Sequence, residues 1–145
     1  MAVGIGRFLF GPGDLMVLNS DGLVILQEGD VMWRYAGAFC VAFLALLTIS
    51  SLSICLSCFS DNSIGPIVST MAIILLFTII GTLDVPVFDS IRPLLFTTHM
   101  AAWRSFFEDP IPWQQIKESI GILLAHNALF IGVSVITFHR KDITV

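Results

Sequence analysis

The chain has 145 residues, of which 56% are hydrophobic and 12% charged, with a formal net charge of −4 and a mean hydropathy of +0.91. That balance excludes an ordinary soluble domain, in which about a quarter of residues are charged, and points to a membrane protein. The charges form no basic run or stripe, which excludes a nucleic-acid-binding surface.

Residues 1–10 are apolar apart from Arg7 and are too short to cross a bilayer; Gly11, Pro12 and Gly13 stop them. They read as the tail of a helix. No basic stretch precedes them, and Arg7 interrupts them, so they do not fit a cleavable signal peptide. Two apolar patches, 15–18 and 23–26, flank the turn-forming group Asn19, Ser20, Asp21 and Gly22, which allows a small hairpin or a surface loop. Asp30 is placed to cap a helix. Trp33 and Tyr35 follow it, where amphipathic rings favour the headgroup region.

Residues 35–59 form a run of 25 without a charge, about 37 Å long as a helix against a hydrocarbon core of about 30 Å. A polar turn, Ser60, Asp61, Asn62 and Ser63, separates it from a second uncharged run, 64–83. That run carries Pro66 in its first turn, where proline costs no helix hydrogen bond. The pair reads as a transmembrane helical hairpin. In its first helix Ala38, Ala42 and Ala45 share one face, and Ser50, Ser53 and Ser57 line another. Both suit helix contact, with the serines bonding back to carbonyls of the preceding turn. Cys40, Cys55 and Cys58 all lie in this first run, which argues for reduced thiols rather than a disulfide framework. The C-x-x-C spacing of Cys55 and Cys58 has no second pair to complete a zinc site.

Residues 84–118 change character, with eight charged residues, four prolines, two tryptophans and His99. Pro93 can open a helix on which Phe96, Met100, Trp103 and Phe107 recur at i, i+4, i+7 and i+11. This describes an amphipathic helix on, or dipping into, the membrane face. Pro110 and Pro112 break it, and Trp113 is a second interfacial anchor. The third span is 120–138, 19 residues without a formal charge. Gly121, Ala125, Ala128 and Gly132 form a small-residue seam on it that lets another helix approach closely. Nearly opposite lie Ser119, His126, Asn127, Ser134 and Thr137. His126 and Asn127 fall near the bilayer centre and must meet protein or water, as an interhelical bond or a polar pathway. Residues 139–145, opening with His139, Arg140 and Lys141, form a terminal tail.

The fold expected is an all-α membrane protein of three transmembrane helices, with an interfacial re-entrant helical segment between the second and third. No metalloprotease, nucleophile-elbow or phosphate-loop motif occurs, so no catalytic, metal-binding or cofactor-binding residues are assigned and no cofactor is expected.

Four stretches together resemble the C-terminal half of type-two ATP-binding-cassette exporter permeases, close to the gliding-motility and copper-maturation branch. They are the serine-rich end of the first span with its turn (52–62), the run Leu94 to Trp103, the entry Ile111, Pro112 and Trp113, and the ending Phe138, His139, Arg140, Lys141, Asp142 and Ile143. The resemblance covers roughly residues 33–143. It implies that the three spans are the last three of six, with residues 1–10 the end of the span before them and residues 84–118 the external re-entrant helices. It also implies a bacterial plasma-membrane location with a cytoplasmic C-terminus. The expected partners are a second permease subunit and a separate ATP-binding subunit facing the turn at Ser60, Asp61 and Asn62, with ATP hydrolysis confined to that subunit. The family's first spans have no counterpart here. Arg34, Arg92, Arg104 and Lys117 flank the side named external against Arg140 and Lys141 on the other, so the positive-inside rule by itself points the opposite way. The alternative is a small multi-pass scaffold or assembly protein without transport activity. An intramembrane enzyme built on His126 and Asn127 lacks an orienting third group.

Overall fold

The computed structural model describes residues 15–19, 22–26, 28–62, 64–83 and 85–140. The helix remnant expected over 1–10 and the tail beyond Arg140 lie outside them, as do Ser63 and Asp84. A short hairpin comes first: β1 (Leu15–Asn19) pairs antiparallel with β2 (Gly22–Leu26), Leu15 opposite Leu26 and Asn19 opposite Gly22.

The rest is helical. α1 (Glu28–Phe59), α2 (Ile64–Thr82) and α4 (Trp113–Arg140) are each long and apolar enough to cross a membrane, and the protein is membrane-embedded. α1 starts ahead of the uncharged run, so Asp30 sits inside its first turn, where a carboxylate favours the positive end of the helix dipole, and accepts a hydrogen bond from Trp33 Nε1 at 3.1 Å. Between α2 and α4 the chain makes two 3₁₀ turns, Pro86–Phe88 and Arg92–Leu94. It then forms one α turn, α3 (Phe96–His99), and a longer 3₁₀ stretch, Met100–Phe107.

α1 and α4 run parallel, side by side. Trp33 stacks on Trp113 at their N-terminal ends (ring centroids 5.8 Å apart, planes within 10°), Thr48 meets Asn127 half-way along, and Cys58 faces Thr137 across a cleft at the C-terminal ends. α2 returns antiparallel, packed along α1 and against the Phe96–His99 turn. At about 1.5 Å per residue its 19 residues span about 28 Å, the length of the uncharged run 120–138. The N-terminal turns of α1 and α4 therefore project beyond the end of α2, and the segment 86–112 fills the space they leave.

Two buried clusters hold this arrangement. Ala38, Val41, Ala102, Phe106 and Ile116 form one at the projecting end, and Ala45, Leu52, Phe96 and Leu123 form the other between all three long helices. Large apolar side chains such as Phe39, Leu46, Ile67, Leu75, Leu129 and Val135 stay exposed on the outside, as expected of helices that are apolar all round and meet lipid.

Candidate functional site

The most distinctive feature is residues 96–107, here termed the wedge. Phe96 is fully buried, its ring 5.7 Å from Phe77 of α2, 5.7 Å from His126 and 6.2 Å from Phe130 of α4. Lying between the levels of His126 and Phe130, it reaches roughly 10 Å below the start of the uncharged run of α4. Short helical turns at that depth are tolerated only when protein surrounds them, and Leu95 and Phe96 are 4% and 0% exposed. The expected interfacial helix is thus re-entrant but mostly 3₁₀. With three residues per turn, the inward set becomes Phe96, His99, Ala102 and Ser105, joined by Phe106. Of the four residues placed on one face by an α period, Phe96 is buried, Met100 and Phe107 are half-buried, and Trp103 faces outward. Arg104 lies over the Trp103 ring at 5.5 Å.

Arg34 of α1 fixes the far end of the wedge. Its Nη1 donates to Phe106 O at 3.2 Å and Glu108 O at 2.9 Å, and its Nη2 lies 3.9 Å from Asp109 Oδ1. The terminal carbonyls of a 3₁₀ helix lack internal partners, so this guanidinium caps them from another element. Arg34 is 6% exposed and lies against the Trp33 ring. One turn along, the Phe106 ring lies directly on Gly37, where a Cβ would overlap it. At the near end, Arg92 donates to Leu83 O and pairs with Asp89 at 3.0 Å.

His99 joins the wedge to α4. Its Nε2 lies 2.9 Å from Pro93 O and its Nδ1 3.0 Å from Ser119 Oγ. A carbonyl can only accept, so Nε2 carries a hydrogen; in the neutral ring Nδ1 then accepts the Ser119 hydroxyl. Beside this pair lies a cavity of about 160 Å³, whose polar lining is Thr98, His99, Ser105, Gln115, Glu118 and Ser119, with Ala101 and Ala102.

His126, Asn127 and Ser134 of the third span are hydrogen-bonded within the chain. Asn127 Nδ2 donates to Thr48 Oγ1 at 2.7 Å and to Leu123 O at 3.0 Å, and Thr48 Oγ1 itself donates to Leu44 O at 3.0 Å. His126 Nδ1 bonds to Ile122 O at 2.9 Å, and Ser134 donates to Phe130 O at 2.7 Å. Of these three, Asn127 is the one bonded to another long helix. The seam lies elsewhere: Gly121, Ala125 and Ala128 are exposed and Gly132 half-buried, and nothing lies within 4 Å of a Cβ built at either glycine. It faces away from α1 and α2.

In the turn, Ser60 Oγ bonds both the carbonyl and the amide of Asn62, and Asn62 Oδ1 accepts the Ile64 N–H, opening α2. Asp61 lies at the rim of the cleft of about 490 Å³ that Cys58, Phe59, Ile136, Thr137 and Arg140 also line. Cys55 is buried and Cys58 half-buried, both as free thiols.

No family model, curated protein or solved structure matches the chain. Its function therefore has to be argued from its own residues. Arg34, Gly37, Thr48 and Ser105 did not stand out in the sequence. Arg34 carried the one usable signal, as the charge immediately preceding the first uncharged run.

Proposed function

We propose that the chain is the membrane-embedded C-terminal part of an ATP-driven exporter-type permease, working beside a second permease subunit and a separate ATP-binding subunit. The observation that carries this reading is the wedge: a helical excursion between the second and third spans that enters the bundle from one end and leaves by the same end. The residues resembling type-two exporter permeases implied this arrangement for residues 84–118. On this reading the wedge end is external, and the turn at Ser60, Asp61 and Asn62 lies on the cytoplasmic side of a bacterial plasma membrane with the C-terminal end of α4. The cleft beside the turn, rimmed by Asp61 and Arg140, supports docking of a soluble partner there. The chain's part is mechanical, and ATP hydrolysis belongs to the partner.

A second reading, a small multi-pass scaffold without transport activity, is favoured by one observation. Asn127, His126 and Ser134 are all hydrogen-bonded within the chain, which supports packing rather than a polar pathway.

Purification from the native membrane in mild detergent, with mass spectrometry of everything retained, separates the two. Co-elution of an ATP-binding subunit in fixed ratio is the outcome expected of the permease. A chain recovered with no ATP-binding subunit overturns that reading in favour of the scaffold.

A further inference from the structure

The outer face of α4 differs from that of α2. α2 turns bulky side chains such as Ile67, Met71, Leu75 and Ile79 outward, a surface suited to acyl chains. On α4 the outward surface is cut back: Gly121, Ala125 and Ala128 are exposed, Gly132 is half-buried, and the space beside both glycines is open. At about 100° per residue these four fall within an arc of roughly 60°, so they form a furrow along the helix.

Beyond the uncharged run the charges are arranged about the same line. Gln114 continues the furrow, and Lys117 and Glu118, both exposed, lie roughly 50° to either side of it. Neighbouring residues on a helix do not face each other, so these two cannot pair within one chain. Among the described residues Lys117 has no acidic partner, and Glu118 holds only the neutral Gln114 amide, at 3.1 Å.

We propose that this face of α4 is the contact between two parallel copies of the chain, related by a two-fold axis along the membrane normal. The sequence sets the orientation of insertion, so two copies present their α4 helices in parallel and at the same depth. In a parallel two-fold pair each flank of one helix faces the opposite flank of the other. Lys117 of one protomer is thereby set beside Glu118 of its partner, and the reverse. Below them the furrows let the two backbones approach closely, which is the packing that joins helices in lipid. A different helix would need a cut-back face and a matching acid and base of its own, whereas a second copy supplies both. The contact serves a permease pair and a scaffold alike and needs no ATP-binding subunit.

Energy transfer between labelled copies of the full chain in liposomes, over a range of protein-to-lipid ratios, tests it. Lys117→Glu gathers only carboxylates at the contact and Glu118→Lys only ammonium groups, so each should lower the paired fraction at least threefold. An equimolar mixture of the two variants should pair as the parent does. The double variant K117E/E118K, which exchanges the flanks, should also recover pairing, and Gly121→Leu should lose it with the charges intact. Thermal unfolding of each variant checks that the fold is kept. Pairing unchanged in both single-charge variants, or lost in them and regained in neither the mixture nor the double variant, overturns the proposal. A chain that stays monomeric at every ratio does the same. The liposomes hold no ATP-binding subunit, so failure here is distinct from failure of the permease reading.

Discussion

Asn127 Nδ2 lies 2.7 Å from Thr48 Oγ1, joining the middles of two parallel helices across 79 residues of chain. Thr48 is fully buried, and its hydroxyl passes its own hydrogen to Leu44 O, so it is held as an acceptor for Asn127. In lipid the apolar surfaces of two helices gain little by meeting, so a bond of this kind contributes disproportionately to choosing which faces pair.

Thr48→Val keeps the side-chain shape and removes the acceptor. A loss of about 0.6–1.7 kcal/mol in unfolding from detergent or bilayer is expected, the range measured for interhelical bonds in membranes. A double-mutant cycle with Asn127→Leu should return most of that as coupling energy. Strictly additive losses would mean that Asn127 is satisfied by Leu123 O alone.

Arg34→Met should release the wedge from α1. Two charge-assisted bonds to Phe106 O and Glu108 O are lost together, each of a class worth about 1.5–3 kcal/mol. Hydrogen exchange over residues 96–108 should quicken by at least tenfold while the middle of α1 stays protected. Lys at position 34 should restore only part of the protection, since it lacks the planar fork that reaches both carbonyls.

Gly37 and Gly121 should respond oppositely to added volume. A methyl group at Gly37 overlaps the Phe106 ring, and overpacking of this kind costs about 1–3 kcal/mol, offset by up to about 1 kcal/mol of helix propensity. At Gly121 the space is open, so Gly121→Ala should leave stability unchanged or raise it. Thermal unfolding of the two variants side by side decides the matter.

The outward seam predicts an effect on assembly alone. Gly121→Leu and Gly132→Leu should preserve the chain's own fold, because neither position meets another of its helices. They should reduce association with a second copy or another helix by at least severalfold, read by cross-linking or native mass spectrometry. Undiminished association would assign the seam to lipid.

The three spans were legible because a long helix in hydrocarbon cannot carry unpaired charge: the uncharged runs and their bounding Asp61, Glu118 and Arg140 mark the membrane segments directly. From its prolines and spaced aromatics the wedge was legible as an amphipathic segment on, or dipping into, the membrane face, and as re-entrant from the family resemblance, but not in its period. An α spacing grouped Phe96 with Trp103, whereas the 3₁₀ backbone turned Ala102, Ser105 and Phe106 inward instead. That change follows from where the segment has to fit. A narrower, longer helix reaches along the gap between α1 and α4, and the gap exists only once those helices have paired.

The sequence by itself determined that the chain lives in a membrane, how many times it can cross, and that Asn127 needs a polar partner. Tertiary structure decided everything that depends on which face meets which. Helices that are apolar all round carry no stripe to announce their buried side, so the parallel pairing of α1 with α4, the choice of Thr48 and the outward turn of Gly121 and Gly132 arise only from packing. The same holds for the cavity at His99. Ser105 on the wedge and Ser119 on α4 are separated in sequence, and they come to line one cavity because the wedge folds back against α4.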